Sequence, residues 1–267
     1  MNDGEHPKPA HLGPNYGEQF EDASIVLAYR HRPPYPGQIY NFLSDLLPRG
    51  PAAILDAGCG NGDLALGLRA SIRETDRLDA VDRSAGMVFE GRRRPGGDDP
   101  RLNWQIAPME TAVLYPPYAL VTAGESLHWM DWPVVLPRFR EALLPGGVLA
   151  IVGRNQLPAR WSDDHLKIIQ RHSTNLDFQP YDLVEELTSR GLFTVRGSRT
   201  TAPVTHQQSI DGYVESWHSR NGLSRDRMSP DAAAFDRETR ELLASLGYED
   251  SVTFEVVGSV TWGLPAR

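Results

Sequence analysis

AAILDAGCGNGDLAL, residues 52 to 66, sets the reading of everything around it. Ala52 to Leu55 carry no charge and lie between Pro51 and a run of glycines, the pattern of a short strand buried on both faces of a parallel sheet. Gly58, Gly60 and Gly62 then clear side chains from the tip of the turn, so positive φ is open at three places and a ligand can lie against backbone. Asn61 or Asp63 can cap the following helix, whose apolar residues are Leu64, Ala65, Leu66 and Leu68. Asp56 directs a carboxylate at whatever the turn holds.

The spacing separates three kinds of ligand. A dinucleotide turn reads G-x-G-x-x-G, so that pyrophosphate meets helix amides, whereas this chain reads G-C-G-N-G-D. A nucleoside triphosphate loop needs a lysine after its last glycine, and none follows here. The next strand, Leu78 to Val81, ends in Asp82, placed where a carboxylate accepts from both hydroxyls of a ribose.

Hydrophobic strand followed by D-x-G-C-G-x-G resembles motif I of the class I S-adenosylmethionine-dependent methyltransferases. Three further stretches extend the resemblance: GESLHWMDW at 124 to 132, similar to the S-L-H-W segment of the small-molecule group that includes trans-aconitate enzymes; LLPGG at 143 to 147; and YVESWHSRNGLSRDRMSP at 213 to 230. The resemblance implies a Rossmann-like α/β fold, a seven-stranded mostly parallel sheet with the last strand antiparallel, helices on both faces and a helical cap. It implies S-adenosyl-L-methionine as cofactor and in-line methyl transfer to an O, N or C nucleophile of a small molecule. It implies cofactor contacts from Arg32, Asp56, Gly58, Gly60, Asp82, Arg83, Met87, Met109, Glu110 and Glu125, with Arg32 on the methionine carboxylate. Pro108 occupies the position where the family often has an adenine-binding Asp, which leaves adenine to backbone around Met109 and Glu110. His128, with an ordinary pKa near ~6.5, is the candidate proton acceptor, and Tyr16 joins it as a catalytic candidate. Trp129 and Trp132 offer apolar and cation-π walls near a sulfonium, and Trp161, Tyr213 and Trp217, with His165 and His218, are candidate substrate contacts. A second reading keeps the cofactor site in a protein that senses or uses S-adenosylmethionine without methylating.

The remaining chain fits one domain. With 267 residues and 40% hydrophobic, it is long enough for a large α/β core. A net charge of −8 argues against general affinity for nucleic-acid phosphates, and Arg92 to Arg94 sit in a solvated loop beside Asp98 and Asp99. No apolar stretch reaches 18 residues, so no membrane segment or secretory signal is expected and the cytoplasm is the default location. The single Cys59 cannot form an internal disulfide, and no Cys/His cluster has metal-ligand spacing. Residues 1 to 15 read as a flexible arm and 16 to 267 as a single domain: amphipathic helices at Tyr16 to Tyr29 and Gly37 to Leu47 as a lid over 16 to 50, a cofactor-binding half over 51 to 153, and substrate cap with remaining sheet over 154 to 250. Val252 to Trp262 alternates as a strand.

Overall fold

A computed structural model describes residues 8–72 and 75–266. Its centre is an eight-stranded sheet: β1 (Ala52–Ala57), β2 (Thr75–Asp82), β3 (Leu102–Ile106), β4 (Tyr118–Gly124), β5 (Leu143–Gln156), β6 (Phe193–Thr200), β7 (Val204–Ser209) and β8 (Ser251–Pro265). The order is β3-β2-β1-β4-β5-β8-β6, with β7 paired to β8 off that path. Strands β1 to β5 are mutually parallel, and β8 runs antiparallel to both β5 and β6. The seven-strand path with one reversed strand is the architecture expected from the sequence.

β1 and β4 are central, and their burial explains their composition. Ile54, Leu55, Leu120 and Val121 are completely buried, as are Leu78 and Val81 of β2 and Leu149 of β5. A strand covered on both faces has no polar side to alternate with, hence the unbroken apolar runs. The Pro-Gly-Gly segment enters β5 as an irregularity rather than a clean turn: Tyr118 pairs with Leu143, and the next register pair is Leu120 with Val148. Gly146 there has φ 91°. The added strand β7, VTHQQS, is mostly exposed and polar on both faces, so it carries no periodic apolar signal.

Two compact units share the chain. One comprises residues 33 to 159, 182 to 208 and 252 to 267 and carries the sheet; the other comprises residues up to 32, 160 to 181 and 209 to 251. In the second unit the continuous helix expected from Tyr16 to Tyr29 is broken. A 3-10 turn at Glu18–Glu21 ends on Asp22, whose extended backbone (ψ 134°) restarts the chain into the helix Ala23–Tyr29. Part of the expected arm, residues 1–7, lies outside the described residues; beyond it, His11 and Leu12 are buried, the His11 ring 4.9 Å from that of Tyr181. No helix among the described residues is long and apolar enough to cross a membrane.

Candidate functional site

The glycine turn uses all three of its glycines at positive φ: 70° at Gly58, 54° at Gly60 and 81° at Gly62. Two contacts make the cradle tight. A Cβ on Gly58 would sit 2.5 Å from Ser126 Cβ, and one on Gly62 would sit 2.5 Å from the Trp104 ring. The turn is fastened to the next strand by Gly58 and Cys59, whose amides both donate to the Val81 carbonyl at 2.8 and 3.0 Å. Asp82 completes the fastening: Oδ2 accepts from the Gly60 amide and Oδ1 from the Ser84 amide, each at 2.8 Å. A carboxylate has about four acceptor sites, and these amides use two of them while fixing its orientation.

Asp56 is only 1% exposed. Its Oδ1 accepts from Thr122 Oγ1 at 2.9 Å, and its buried Oδ2 has no hydrogen-bond partner among the described residues. Burial therefore pushes its pKa up to about 7, helped by the charges of Asp82 and Asp63 and opposed by the Thr122 hydroxyl and the nearby Ala65 amide. The sign of the consequence follows from linkage. Between about pH 4 and 7 the unfolded chain has released this proton and the folded chain has not, so stability contributed in acid declines as pH rises through the folded pKa, by up to about 1.4 kcal/mol per pH unit. Asp56→Asn is expected to flatten that decline. Denaturant unfolding of both proteins at pH 5, 6, 7 and 8 measures it, and parallel curves would refute the assignment.

At the carboxyl ends of β4 and β5 the chain builds a charged cluster that the sequence did not reveal. Glu125 is the only non-glycine residue at positive φ (54°) among the described residues, its amide donating to the Val152 carbonyl at 3.0 Å. Beside it the buried Arg154 donates from Nη1 to the Pro33 carbonyl at 2.7 Å and to Asp63 Oδ2 at 2.9 Å. Its Nε lies 3.4 Å from Glu125 Oε2, and its guanidinium stacks 4.5 Å from the centre of the Tyr35 ring. Arg94 pairs with the other oxygen of Asp63. Arg94 and Arg154 are thus both paired with Asp63, and Arg154 also with Glu125. With Asp82 on the same turn, carboxylates outnumber guanidiniums among these residues, a balance that disfavours a pyrophosphate and favours a ligand bearing positive charge.

The residues expected around a nucleobase lie on two segments, one following β2 and one following β3. Ser84 caps the helix Ala85–Arg93 by accepting from the Met87 amide at 3.4 Å, with Met87 buried and Arg83 exposed. After β3, the Ala107 amide donates to the Asp82 backbone carbonyl at 2.9 Å, which ties the start of the following loop to the end of β2. Met109 is buried, and Glu110 Oε1 accepts from the Asp131 amide at 2.8 Å, tying this loop to the start of the helix Trp132–Ala142. His128 and Trp129 are half-buried beyond β4, ring centres 4.6 Å apart. Trp132 is buried, its Nε1 donating to the Leu127 carbonyl at 2.8 Å.

Seven expected residues belong to the other unit. Trp161 and Tyr213 are each 1% exposed and bonded to one another, Trp161 Nε1 donating to the Tyr213 hydroxyl at 2.8 Å. Trp217 packs edge-on against the buried His165 ring at 4.7 Å, and burial pushes the His165 pKa down to about 4. His218 is fully buried, its Nε2 2.6 Å from Asp236 Oδ1. Trp161, Tyr213, His165 and His218 are buried inside their unit, and Trp217 is half-buried. Arg32 donates from Nε to Ser219 Oγ at 2.8 Å and from Nη2 to the Ser219 carbonyl at 2.6 Å, stacked on Tyr29. Tyr16 donates to Asp177 Oδ2 at 2.7 Å, a bond that raises the pKa of the phenol and keeps it in the donor form. Among the described residues no cluster of His, Cys, Asp and Glu has the geometry to hold a metal ion.

Comparison with known proteins agrees with this geometry. A profile of the methyltransferase-domain family matches residues 54–147, from β1 to the start of β5. The trans-aconitate 2-methyltransferase of Streptomyces avermitilis is 30% identical over 219 residues, covering 74% of this chain and 78% of that protein. The trans-aconitate 2-methyltransferase of Methylobacterium nodulans is 29% identical over 188 residues, covering 68% and 63% of the two chains. Among solved structures, an Anaeromyxobacter dehalogenans protein described as a type II methyltransferase superposes with a TM-score of 0.60 at 23% identity, covering 88% of this chain and 99% of that one.

Proposed function

Given that the chain belongs to the class I S-adenosylmethionine-dependent methyltransferases, we propose that it methylates a carboxylate of a small organic acid, with Asp82 as the ribose anchor of its cofactor. The observation that carries the acceptor class is the 30% identity that runs through 78% of a trans-aconitate 2-methyltransferase. What carries the anchor is the Asp82 carboxylate, fixed by two amides beside a cradle that has no room for a Cβ. S-adenosyl-L-methionine supplies, when bound, a methyl group already activated on a sulfonium. The protein's residues do the rest by positioning, a contribution worth up to roughly 7 to 11 kcal/mol in favourable systems. The glycines admit the cofactor against backbone, and Asp56 and Glu125 set the acidic surroundings that favour a cation. Met87, Met109 and Arg83 flank the base, while Met109 and Glu110 offer it backbone groups. Arg32, Trp161, Tyr213 and Trp217, in the other unit, stand in this proposal as structural supports rather than as direct contacts.

A carboxylate is deprotonated at neutral pH and needs no general base. His128 accordingly orients the acceptor by hydrogen bonding, with Trp129 as an apolar neighbour. The test is an acceptor panel led by trans-aconitate, with S-adenosylhomocysteine release as the readout and alkali-labile methyl ester as the product. His128→Asn is expected to lower kcat less than about fivefold. A hydroxyl or amine acceptor would instead lose on the order of 10² to 10⁴ in rate with the base removed, and that loss would overturn the carboxylate assignment.

A further inference from the structure

We infer that Arg220 and Trp217 form a binding site for a carboxylate of a small organic acid, contained in the unit built from residues up to 32, 160 to 181 and 209 to 251. The inference goes beyond the methyl-transfer reading, in which Trp217 is only a support, and does not depend on it. Its first observation is a donor with nothing to bond. Trp217 Nε1 is buried and has no hydrogen-bond partner among the described residues. Buried N–H groups in folded proteins are met, with few exceptions, by the protein, by an ordered water or by a ligand. The second observation is a cation on the same ring. The Arg220 guanidinium lies 4.0 Å from the centre of the Trp217 ring. Its charge also reaches His165, whose ring centre is 4.7 Å from that of Trp217. Burial first, and then Arg220, push the His165 pKa down to about 4, so this imidazole is neutral at physiological pH and adds no second positive charge.

The donor set selects the ligand. An indole N–H and a guanidinium both give hydrogen bonds and accept none, so together they suit an anion. The planar fork of arginine matches the two oxygens of a carboxylate, and one positive charge balances one carboxylate while leaving a phosphate, at nearly two charges, undercompensated. The acids of the neighbouring helices are held by other cations: Glu215 by Arg225, Asp236 by His218 and Arg225, and Glu238 by Arg171 and His172. Packing fixes one partner and leaves the other adaptable. The Trp217 ring is set against the buried Ile168, Leu223, Met228 and Phe235, whereas the half-buried Arg220 follows the helix Ile210–His218 and has a long side chain that can shift off the ring without moving backbone.

The experiment titrates the full chain with trans-aconitate, its uncharged trimethyl ester and inorganic phosphate at constant ionic strength, following the indole N–H resonance of Trp217, assigned by its loss in Trp217→Phe. Trans-aconitate is expected to shift that resonance along a saturable curve, and the ester and phosphate to leave it in place. Arg220→Gln is expected to weaken binding of the acid by about tenfold or more, with Arg220→Lys regaining part, because charge returns without the fork. A resonance that trans-aconitate does not move, an equal shift by the ester or phosphate, or an affinity within about threefold of wild type in folded Arg220→Gln overturns the inference, the N–H then being met by water only. Two sources of the carboxylate are separated by kinetics. If the acid is the methyl acceptor itself, Arg220→Gln raises the acceptor KM and keeps kcat; if it is a separate ligand, the acceptor KM stays at its wild-type value while binding of the acid is lost. Absence of methyl transfer across the acceptor panel, with the resonance still shifting, overturns the proposed reaction and leaves the site standing.

Discussion

Asp82→Ala is expected to weaken S-adenosylmethionine binding at least a hundredfold while leaving the sheet folded. Hydrogen bonds to a charged acceptor are worth about 1.5 to 3 kcal/mol each, so removing two from a ribose diol costs roughly 3 kcal/mol or more, and each 1.4 kcal/mol is a factor of about ten. The substitution also releases the Gly60 and Ser84 amides that the carboxylate holds at 2.8 Å. Stability therefore falls too, by about 1 to 3 kcal/mol. Asp82→Asn separates the two effects. It keeps the shape of the side chain and one acceptor but sets an NH2 donor against the second amide, so it is expected to regain part of the stability and a smaller part of the affinity. Titration of all three proteins, with folded fraction checked by circular dichroism, gives the result, and an Asp82→Ala affinity within threefold of wild type would contradict the anchor.

Gly58→Ala is expected to be among the most damaging single-methyl changes in the chain, about 2 to 5 kcal/mol. Two penalties combine there. A side chain at φ 70° costs on the order of 1 to 2 kcal/mol. The added Cβ meets Ser126 Cβ at 2.5 Å and Ser126 Oγ at 2.9 Å, and Ser126 cannot step aside because its hydroxyl donates to the Ala57 carbonyl at 2.6 Å. Such overpacking adds typically 1 to 3 kcal/mol. Gly146→Ala supplies the control, since φ is 91° there but nothing lies within 4 Å of the added atom. Only the conformational penalty applies, about 1 kcal/mol. Thermal melts of the two variants are expected to differ by several degrees, at about 2 to 4 °C per kcal/mol for a chain somewhat smaller than this, and equal melting temperatures would show that the Ser126 contact is not rigid.

The site's legibility in the sequence follows the chain distance over which its parts act. The glycine turn, Asp82 and the segment after β4 were readable because each is a local pattern at the end of an apolar run. The Arg154 cluster was not, because Pro33, Tyr35, Asp63 and Glu125 come from separate stretches and converge only when the parallel strands align. Trp161, Tyr213 and Trp217 have residue types that suggest ligand contacts, but side-chain facing is not written in aromatic content: Trp161 and Tyr213 are buried and bonded to one another, and Trp217 is half-buried.

The unit built from residues up to 32, 160 to 181 and 209 to 251 has a consequence for the order in which the protein can be made. Gln19 accepts from the Gly222 amide at 3.0 Å, Asn221 donates to the Tyr16 carbonyl at 2.8 Å, and Asp22 pairs with Arg227 at 2.7 Å. Each bond joins residues about two hundred positions apart. At about 5 to 20 residues per second of translation, the early segment waits on the order of 10 to 40 seconds for its partners to leave the ribosome. Through that interval Ile25 and Ala28, buried in the finished fold, have no native surface to cover them. The strands β1 to β5 are complete long before, so the parallel part of the sheet can assemble during synthesis while the other unit closes only near its end.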